Sequence, residues 1–397
     1  MANRMILQQS AKRGRSRLMW QAGLLLCTAT AACGQAATKA ASTTAPPFTV
    51  HEVAKFSTPW AMAFMPGSGI RLTKLALLTE KEGNLWLVDT ATGKRQAVTG
   101  LPAMNVAGQG GLGDVVVHPD FAANRRVYLS YVEKGAGGSG AALGYGTLEM
   151  GAGAPRLIGF KTIWRQQPKV SGNGHFSHRI AFAPDVTMFV SSGDRQKLDP
   201  AQDLDGALGK VLHLTAEGQP VAGGPFATLG GIAAQFHSIG HRNVLGLDFA
   251  PDGRLWASEM GPEGGDELNL IVAGRNYGWP KASNGSNYGS GDIPDHRAGD
   301  GFEPPKVWWN PSISPGDLLI YGGDRFPQWK GDALVPALSG EALIRVDIDG
   351  ARATKAEQWP MNARIRAVDE GPDGSVFLIE DGGRLVRLDP RGPQRRR

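Results

Sequence analysis

The stretch from His237 to Pro280 holds the densest set of residues able to do chemistry. His241, Arg242 and Asn243 stand before a hairpin signal. That signal is the apolar run Val244 to Ala250, the turn Pro251-Asp252-Gly253, and the return run Arg254 to Ser258. Gly261-Pro262-Glu263-Gly264-Gly265-Asp266-Glu267 follows, then Asn276-Tyr277-Gly278-Trp279-Pro280. Loops held by a rigid sheet are where binding groups are usually placed. A cation, a guanidinium and several carbonyls can converge here. Oxygen donors suit Ca²⁺, and a planar guanidinium fixes a carbonyl or carboxylate. A solvated acidic turn is the plainer reading of Glu263, Asp266 and Glu267.

Three other places carry candidates. Gln109 lies in Gly108-Gln109-Gly110-Gly111 ahead of the strand Gly113 to His118, where glycines let a backbone approach a flat ligand. An ordinary glycine turn reads the same way. His175 and His178 sit between Gly172-Asn173-Gly174 and the strand Ile180 to Phe182. Histidine suits general-base work because its free pKa, ~6.5, lies near operating pH. Arg364 and Arg366 alternate on a strand, so both point to one face, either toward an anion or into an outer salt-bridge ladder. Asp203/Asp205 and Asp347/Asp349 lack the central Gly and closing Glu of an EF-hand and read as turns.

These groups need a frame. The chain has 55 Gly and 26 Pro and no long helical periodicity, so short strands and turns dominate. An apolar run, a Pro with Asp or Gly, and a second apolar run recur at Pro66, Pro119, Pro184, Pro251, Pro315 and Pro372. Each interval has room for about four short strands, which predicts an all-β six-bladed propeller with four-stranded antiparallel blades over 48–390. The alternating run Phe48 to Lys55 is expected to pair with the last blade and close the ring.

Residues 1–33 read as a secretory signal, with Lys12, Arg13, Arg15 and Arg17 ahead of the apolar run Leu18 to Ala32. The ending Thr-Ala-Ala-Cys33 resembles a lipoprotein box, with an acyl anchor on Cys33; plain secretion is the alternative. Both imply a periplasmic protein. Residues 34–47 read as a flexible tether and 391–397 as a basic tail. The formal charge of +5 comes entirely from five basic residues within 1–32, which hold no acid. The remainder is neutral, which argues against a nucleic-acid surface. Both cysteines, Cys27 and Cys33, lie in the leader, so the propeller carries no disulfide.

From about Pro59 to Pro390 the chain resembles the soluble pyrroloquinoline-quinone-dependent sugar dehydrogenases, and within them the aldose sugar dehydrogenase branch. The resemblance rests on the order and spacing of PWAMAFMPG (59–67), GQGGLGDVVVHPDF (108–121), GHFSHRIAFAPD (174–185), GHRN (240–243), GPEGGDELNLI (261–271), NYGWP (276–280), FPQWKGDALVPAL (326–338) and RIRAVDEGPDG (364–374). It implies the same propeller fold. It also implies that His175 is the base, and that Gln109 and Arg242 act on substrate and quinone. Asn243, Tyr288, Ala337, Leu338, Ser339, Arg364, Ile365 and Arg366 complete the quinone contacts. By the same resemblance, backbone oxygens of Gly261 and Pro262 hold a catalytic calcium, and Glu267 and Tyr277 a structural one.

The implied reaction is oxidation of the C1 hydroxyl of an aldose to a lactone, with an external acceptor, a quinone or a redox protein, reoxidising the cofactor. Two departures stand out. Gly174 precedes the base where glucose-type relatives carry Asp, and Ser339 replaces a Lys that contacts the quinone. The alternatives are a non-catalytic binding propeller and a calcium lactonase.

Overall fold

The computed structural model describes residues 45–66, 74–151, 153–289 and 291–392. The leader with Cys33, most of the tether, and tail residues 393–397 lie outside the described residues. No helix among the described residues is long and apolar enough to cross a membrane.

Among the described residues, six four-stranded antiparallel sheets form the blades of a propeller. Blade 1 is Pro59–Phe64, Leu75–Glu80, Asn84–Asp89 and Arg95–Val98, and blade 2 is Leu112–Val117, Arg126–Gly135, Gly138–Glu149 and Arg156–Arg165. Blade 3 is Ser177–Phe182, Met188–Ser192, Lys210–Leu214 and Phe236–Ile239, and blade 4 is Val244–Phe249, Leu255–Glu259, Asp266–Ile271 and Val307–Trp309. Blade 5 is Leu319–Ile320, Ala333–Ala337, Ala342–Asp349 and Arg352–Pro360. Blade 6 takes Ile365–Glu370, Val376–Glu380 and Arg384–Pro390 from the end of the chain and Phe48–Lys55 from its start.

The repeated turn signal has a physical basis. After Pro184, Pro251 and Pro372, the following Asp accepts the backbone N–H two residues on: Thr187, Arg254 and Ser375 respectively. That local bond reverses the chain and sets the hairpin register. Pro315 is the exception. It precedes the inner strand of blade 5, whose real hairpin is the 321–332 connection containing the short helix Pro327–Trp329.

The first strand of each blade packs against the first strands of its neighbours, in order around the ring. Blade interfaces are filled by apolar clusters, one for each adjacent pair. Closure is antiparallel pairing of Phe48–Lys55 with Arg384–Pro390, as expected from the sequence. Phe48 anchors it, edge-on to Trp329 at 6.0 Å and Trp359 at 5.5 Å.

The inner strands carry ionisable groups onto the axis. Asp114, Arg179, Asp248, Asp317 and Asp369 line a cavity of about 580 Å³ at the exit ends of these strands. Arg179 lies 4.2 Å over the Trp60 ring and donates to Asp114, Leu245 O and Gly316 O. Burial pushes Asp248 and Asp317 up to about 7 and Asp369 well above the carboxylate range.

Two predictions follow from closure and from the axis. Phe48→Ala should lower unfolding free energy by about 3–5 kcal/mol, the usual cost of emptying a buried aromatic site. Urea denaturation measures it, and an unchanged midpoint would show that closure does not rest on this ring. The axial acids set a pH dependence. Unfolded, they titrate near ~3.9, so the folded chain binds more protons between about pH 4 and 7. Their stabilisation is present below that window and is lost as pH rises through it. The melting temperature of Asp248→Asn should therefore exceed that of the wild type above about pH 7, and a parallel pair of pH curves would refute this.

Candidate functional site

A second cavity, about 440 Å³, lies at the opposite, entry ends of the inner strands. Gln109, His178, Asn243, Ser314, Leu338, Arg364 and Arg366 line it, together with Trp60, Lys81 and Asp381. Its volume falls within the range of small-molecule sites. Arg364 and Arg366 share one partner: Asp381 accepts from Arg364 Nε at 3.3 Å and from Arg366 Nη2 at 2.7 Å. The two arginines therefore face one side, as their alternation implies. With Lys81 they give three cations against a single carboxylate, which suits a polyanionic ligand. The sequence reading missed both Lys81 and Asp381.

His175 is 7 % exposed and stands beside this cavity rather than among the residues that form its wall. Its backbone N–H donates to Gln109 Oε1 at 2.7 Å, which ties the GQGG turn to the loop before blade 3. Gly108 permits the approach, because a Cβ there would sit 2.6 Å from Asn173 O. His175 Nδ1 lies 2.7 Å from Asp194 Oδ1. An ionised carboxylate can only accept, so Nδ1 carries a proton toward Asp194, and in the neutral ring Nε2 keeps its lone pair. Asp194 also accepts from Trp279 Nε1 at 2.8 Å and from Gln196 N at 2.8 Å, and its own N–H donates to Arg242 O. The sequence does hold a signal for Asp194. The hairpin pairs Ser177 with Ser192, which brings residues two places further out, 175 and 194, opposite each other.

Backbone strain is concentrated here. His175, Ser177, His178, Arg195 and Gln196 all have positive φ, between 48° and 59°. Such conformations cost about 1–3 kcal/mol each and persist only when the surroundings impose them. Arg195 is the brace: fully buried, it stacks 3.7 Å over Phe176 and donates to Gly174 O, Gly172 O and Ser139 O.

His178 does line the cavity, but its ring is fixed as wall. It stacks on Trp60 at 5.3 Å and bonds Ser130 through Nδ1 at 2.7 Å. Burial, with Arg179 adding to it, lowers its pKa to about 3, so it stays neutral.

Arg242 lies next to this group, its guanidinium 5.2 Å over Trp279 and 6.0 Å from the centre of the Tyr288 ring. Its Nη1 donates to Met260 O at 3.1 Å, and its buried Nε has no hydrogen-bond partner. Met260 lines both the large cavity and a small one beneath Arg242, so the two adjoin there. Glu259 accepts from the N–H groups of Arg242 and Asn243 and from His241 Nδ1.

The small cavity, about 10 Å³, is lined by Gly261, Pro262, Glu267 and Tyr277 together with Glu259. Its size is that of a single ion or water. Asp266 and Glu267 are buried, which overturns the solvated-turn reading for these two, while Glu263 is exposed as that reading expects. Asp266 pins it by accepting from Gly261 N, Ser312 Oγ, Ile313 N and Ser314 N. Burial and the neighbouring Glu259 raise the Glu267 carboxyl far above its usual range. Two buried carboxylates side by side, amid carbonyl oxygens, are a donor set that fits Ca²⁺.

The other expected quinone contacts divide. Leu338 lines the cavity, and Tyr288 is 72 % exposed with its hydroxyl 3.4 Å from Pro262 O. Ser339 is exposed and donates to Ser314 Oγ at 2.8 Å. Ala337 and Ile365 are fully buried in the blade cores and are not among the residues lining the cavity.

A closed propeller with a buried imidazole–carboxylate pair beside an arginine-walled cavity defines an enzyme frame with its chemistry at one end of the axis. The profile of the Glucose / Sorbosone dehydrogenase family matches residues 56–387, and the chain belongs to that family. The aldose sugar dehydrogenase YliI of Escherichia coli (strain K12) is 36 % identical over 346 residues, covering 85 % of this chain and 91 % of the relative. The crystal structure of the soluble aldose sugar dehydrogenase of Escherichia coli in its apo-form superposes with a TM-score of 0.81 at 35 % identity, covering 87 % of this chain and 100 % of that one. The PQQ-bound aldose sugar dehydrogenase of Streptomyces coelicolor gives a TM-score of 0.71 at 26 % identity, covering 87 % and 99 %.

The His175–Asp194 contact yields a further prediction. Asp194→Asn keeps the shape but lets the imidazole adopt the other tautomer. Turnover should fall by about 10²–10⁴-fold, the share usual for acid–base catalysis. Steady-state kinetics with a dye acceptor reads this, and turnover within twofold of wild type would remove Asp194 from the chemistry.

Proposed function

We propose that the chain is a pyrroloquinoline-quinone- and calcium-dependent dehydrogenase that oxidises the C1 hydroxyl of aldoses to lactones, with His175 as general base. The observation that carries this reading is the His175–Asp194 pair, which leaves Nε2 free to accept a proton. Family membership and the PQQ-bound relative support the cofactor. Arg364, Arg366 and Lys81 would hold the quinone's carboxylates, with Gln109, Asn243, Leu338 and Tyr288 around its plane. Gly261 and Pro262, through their carbonyls, and Glu267 and Tyr277 line one cavity the size of a single ion, and there they would hold calcium.

When bound, the quinone supplies the acceptor for two electrons and the C1 hydrogen. The protein's task is to place and deprotonate the sugar. His175 takes the O1 proton at Nε2 as the C1 hydride departs, and C1 becomes the lactone carbonyl. Asp194 fixes the ring and stabilises the imidazolium that forms. Arg242, held on the Trp279 face, offers its unpartnered Nε–H to developing negative charge. Ser339 in place of Lys leaves Lys81 as the compensating cation. The placement of the enzyme is read as periplasmic, with a lipid anchor at Cys33 or plain secretion, and an external quinone or redox protein takes the electrons.

His175→Gln tests this. Quinone and Ca²⁺ should still bind, while single-turnover reduction by an aldose slows about 10²–10⁴-fold. His178→Gln is the neighbour control and should change little. Wild-type reduction by the His175→Gln protein, with cofactor occupancy confirmed, would overturn the assignment.

A further inference from the structure

Gln202 lies outside every motif of the sequence, in the connection between the second and third strands of blade 3. Lys210 shapes that connection. It opens the third strand and is fully buried. A buried ammonium must find acceptors. Lys210 Nζ donates to the carbonyls of Leu208 at 2.7 Å, Pro200 at 2.8 Å and Ala201 at 3.1 Å. These bonds fix the short turn of helix Asp199–Ala201 against the blade, with Gln202 at its end. From there the Gln202 side chain crosses to the 272–306 connection of blade 4. Its Nε2 donates to Asn276 Oδ1 at 3.0 Å, and Asn276 Nδ2 donates back to Gln202 Oε1 at 2.8 Å. Gln202 Nε2 also donates to Trp279 O at 2.6 Å. A carbonyl only accepts, so the nitrogen of the Gln202 amide is the atom that must face it. Trp279 N–H donates to Gly240 O at 3.0 Å, so both main-chain groups of Trp279 are held. Gly240 makes room for this clasp, because a Cβ there would sit 2.1 Å from Asn276 Oδ1.

What the clasp holds is the indole beside the base. Trp279 Nε1 donates to Asp194 Oδ2 at 2.8 Å, and the Arg242 guanidinium lies 5.2 Å over the centre of the ring. The two oxygens of Asp194 have separate tasks. Oδ1 takes His175 Nδ1 and the Gln196 N–H, and Oδ2 takes the indole. With the indole displaced, Oδ2 loses its donor in a buried setting, which is a costly state. The carboxylate then turns to recover a donor, and the imidazole turns with it. We infer that Gln202 is a positioning residue of the aldose-oxidising centre. Through the Trp279 main chain it sets the indole, and through the indole the Asp194 carboxylate and the His175 ring. It acts only through these residues. The inference rests on the reading of His175 as the base.

Proton NMR on the quinone-free protein reads this chain of contacts without turnover. The His175 Nδ1–H resonance, identified by its absence in His175→Gln, should lie far downfield in the wild type, as a proton held against a carboxylate does. Gln202→Leu should move it upfield or broaden it by exchange. With quinone and Ca²⁺ bound, the same variant should reduce quinone about 10–100-fold more slowly in single turnover at saturating aldose, the scale on which a displaced group costs rate. The aldose concentration giving half the maximal rate should stay unchanged, since Gln202 does not meet the sugar. Gln202→Glu keeps the size but sets a carboxylate against two oxygens, and should slow the step at least as much. Asp203→Asn, at the exposed neighbour, should alter neither readout. A folded Gln202→Leu protein with wild-type resonance and rate overturns the inference and leaves His175 as the base. A slower rate with an unmoved resonance also overturns it, because the ring would then not be what moved. A moved resonance at the wild-type rate overturns both readings. Hydrogen exchange of the Trp279 indole N–H in the wild type is independent of any variant's folding. Protection is expected, and exchange as fast as that of an exposed indole would refute the proposal.

Discussion

The candidate site depends on one buried carboxylate. Asp194 lies just past the second strand of blade 3 and reaches three partners: the His175 ring, the Trp279 indole and the Gln196 backbone. Its own N–H is bonded to the Arg242 carbonyl. The His175 ring, the Arg242 main chain and the loop beyond are thereby held through a single residue. The geometry is imposed against local preference, since both segments around the pair adopt left-handed backbone at non-glycine residues. Arg195 supplies the opposing hold, with an arginine's planar donors spread over carbonyls of three residues and no carboxylate side chain among its hydrogen-bond partners. Rigid support of this kind is what keeps a reactive group within a fraction of an ångström of its working position.

The two ends of the axis have opposite electrostatic character. Cations predominate at the entry-end cavity, and acidic side chains predominate at the far end. Arg179 sits between them, stacked on Trp60 from one cavity and bonded to Asp114 from the other. Arg179 lines only the acidic cavity, and the Trp60 ring covers its guanidinium on the cationic side. The arrangement separates a ligand cavity from a buried acidic one with one residue layer.

Much of the frame could be read from the chain. Pro-Asp turns work through a bond within three residues, so they are visible locally, and five of the six repeat positions mark real blade hairpins. Pro315 misled because blade 5 has a two-residue inner strand and a long first connection. Arg364 and Arg366 were legible because strand alternation fixes their common side, and the ring-closing strand because its pattern demands a partner. Asp194 was not singled out, since its meaning lies in a register across the hairpin.

The closure of the ring also bears on how the chain reaches this state. Thr49 pairs beside Asp389 across a separation of 340 residues, so blade 6 cannot be completed until almost the whole polypeptide exists. Contacts that distant make for high contact order and slow acquisition of the native topology. Blades 1 to 5 are each built from continuous sequence and can form as the chain emerges, whereas the last sheet waits for its fourth strand. Until then Arg384–Pro390 presents an open strand edge, the kind of surface on which another chain can pair. The closing strand is therefore the step at which assembly competes with aggregation, and a nick near either terminus would return the molecule to that exposed state.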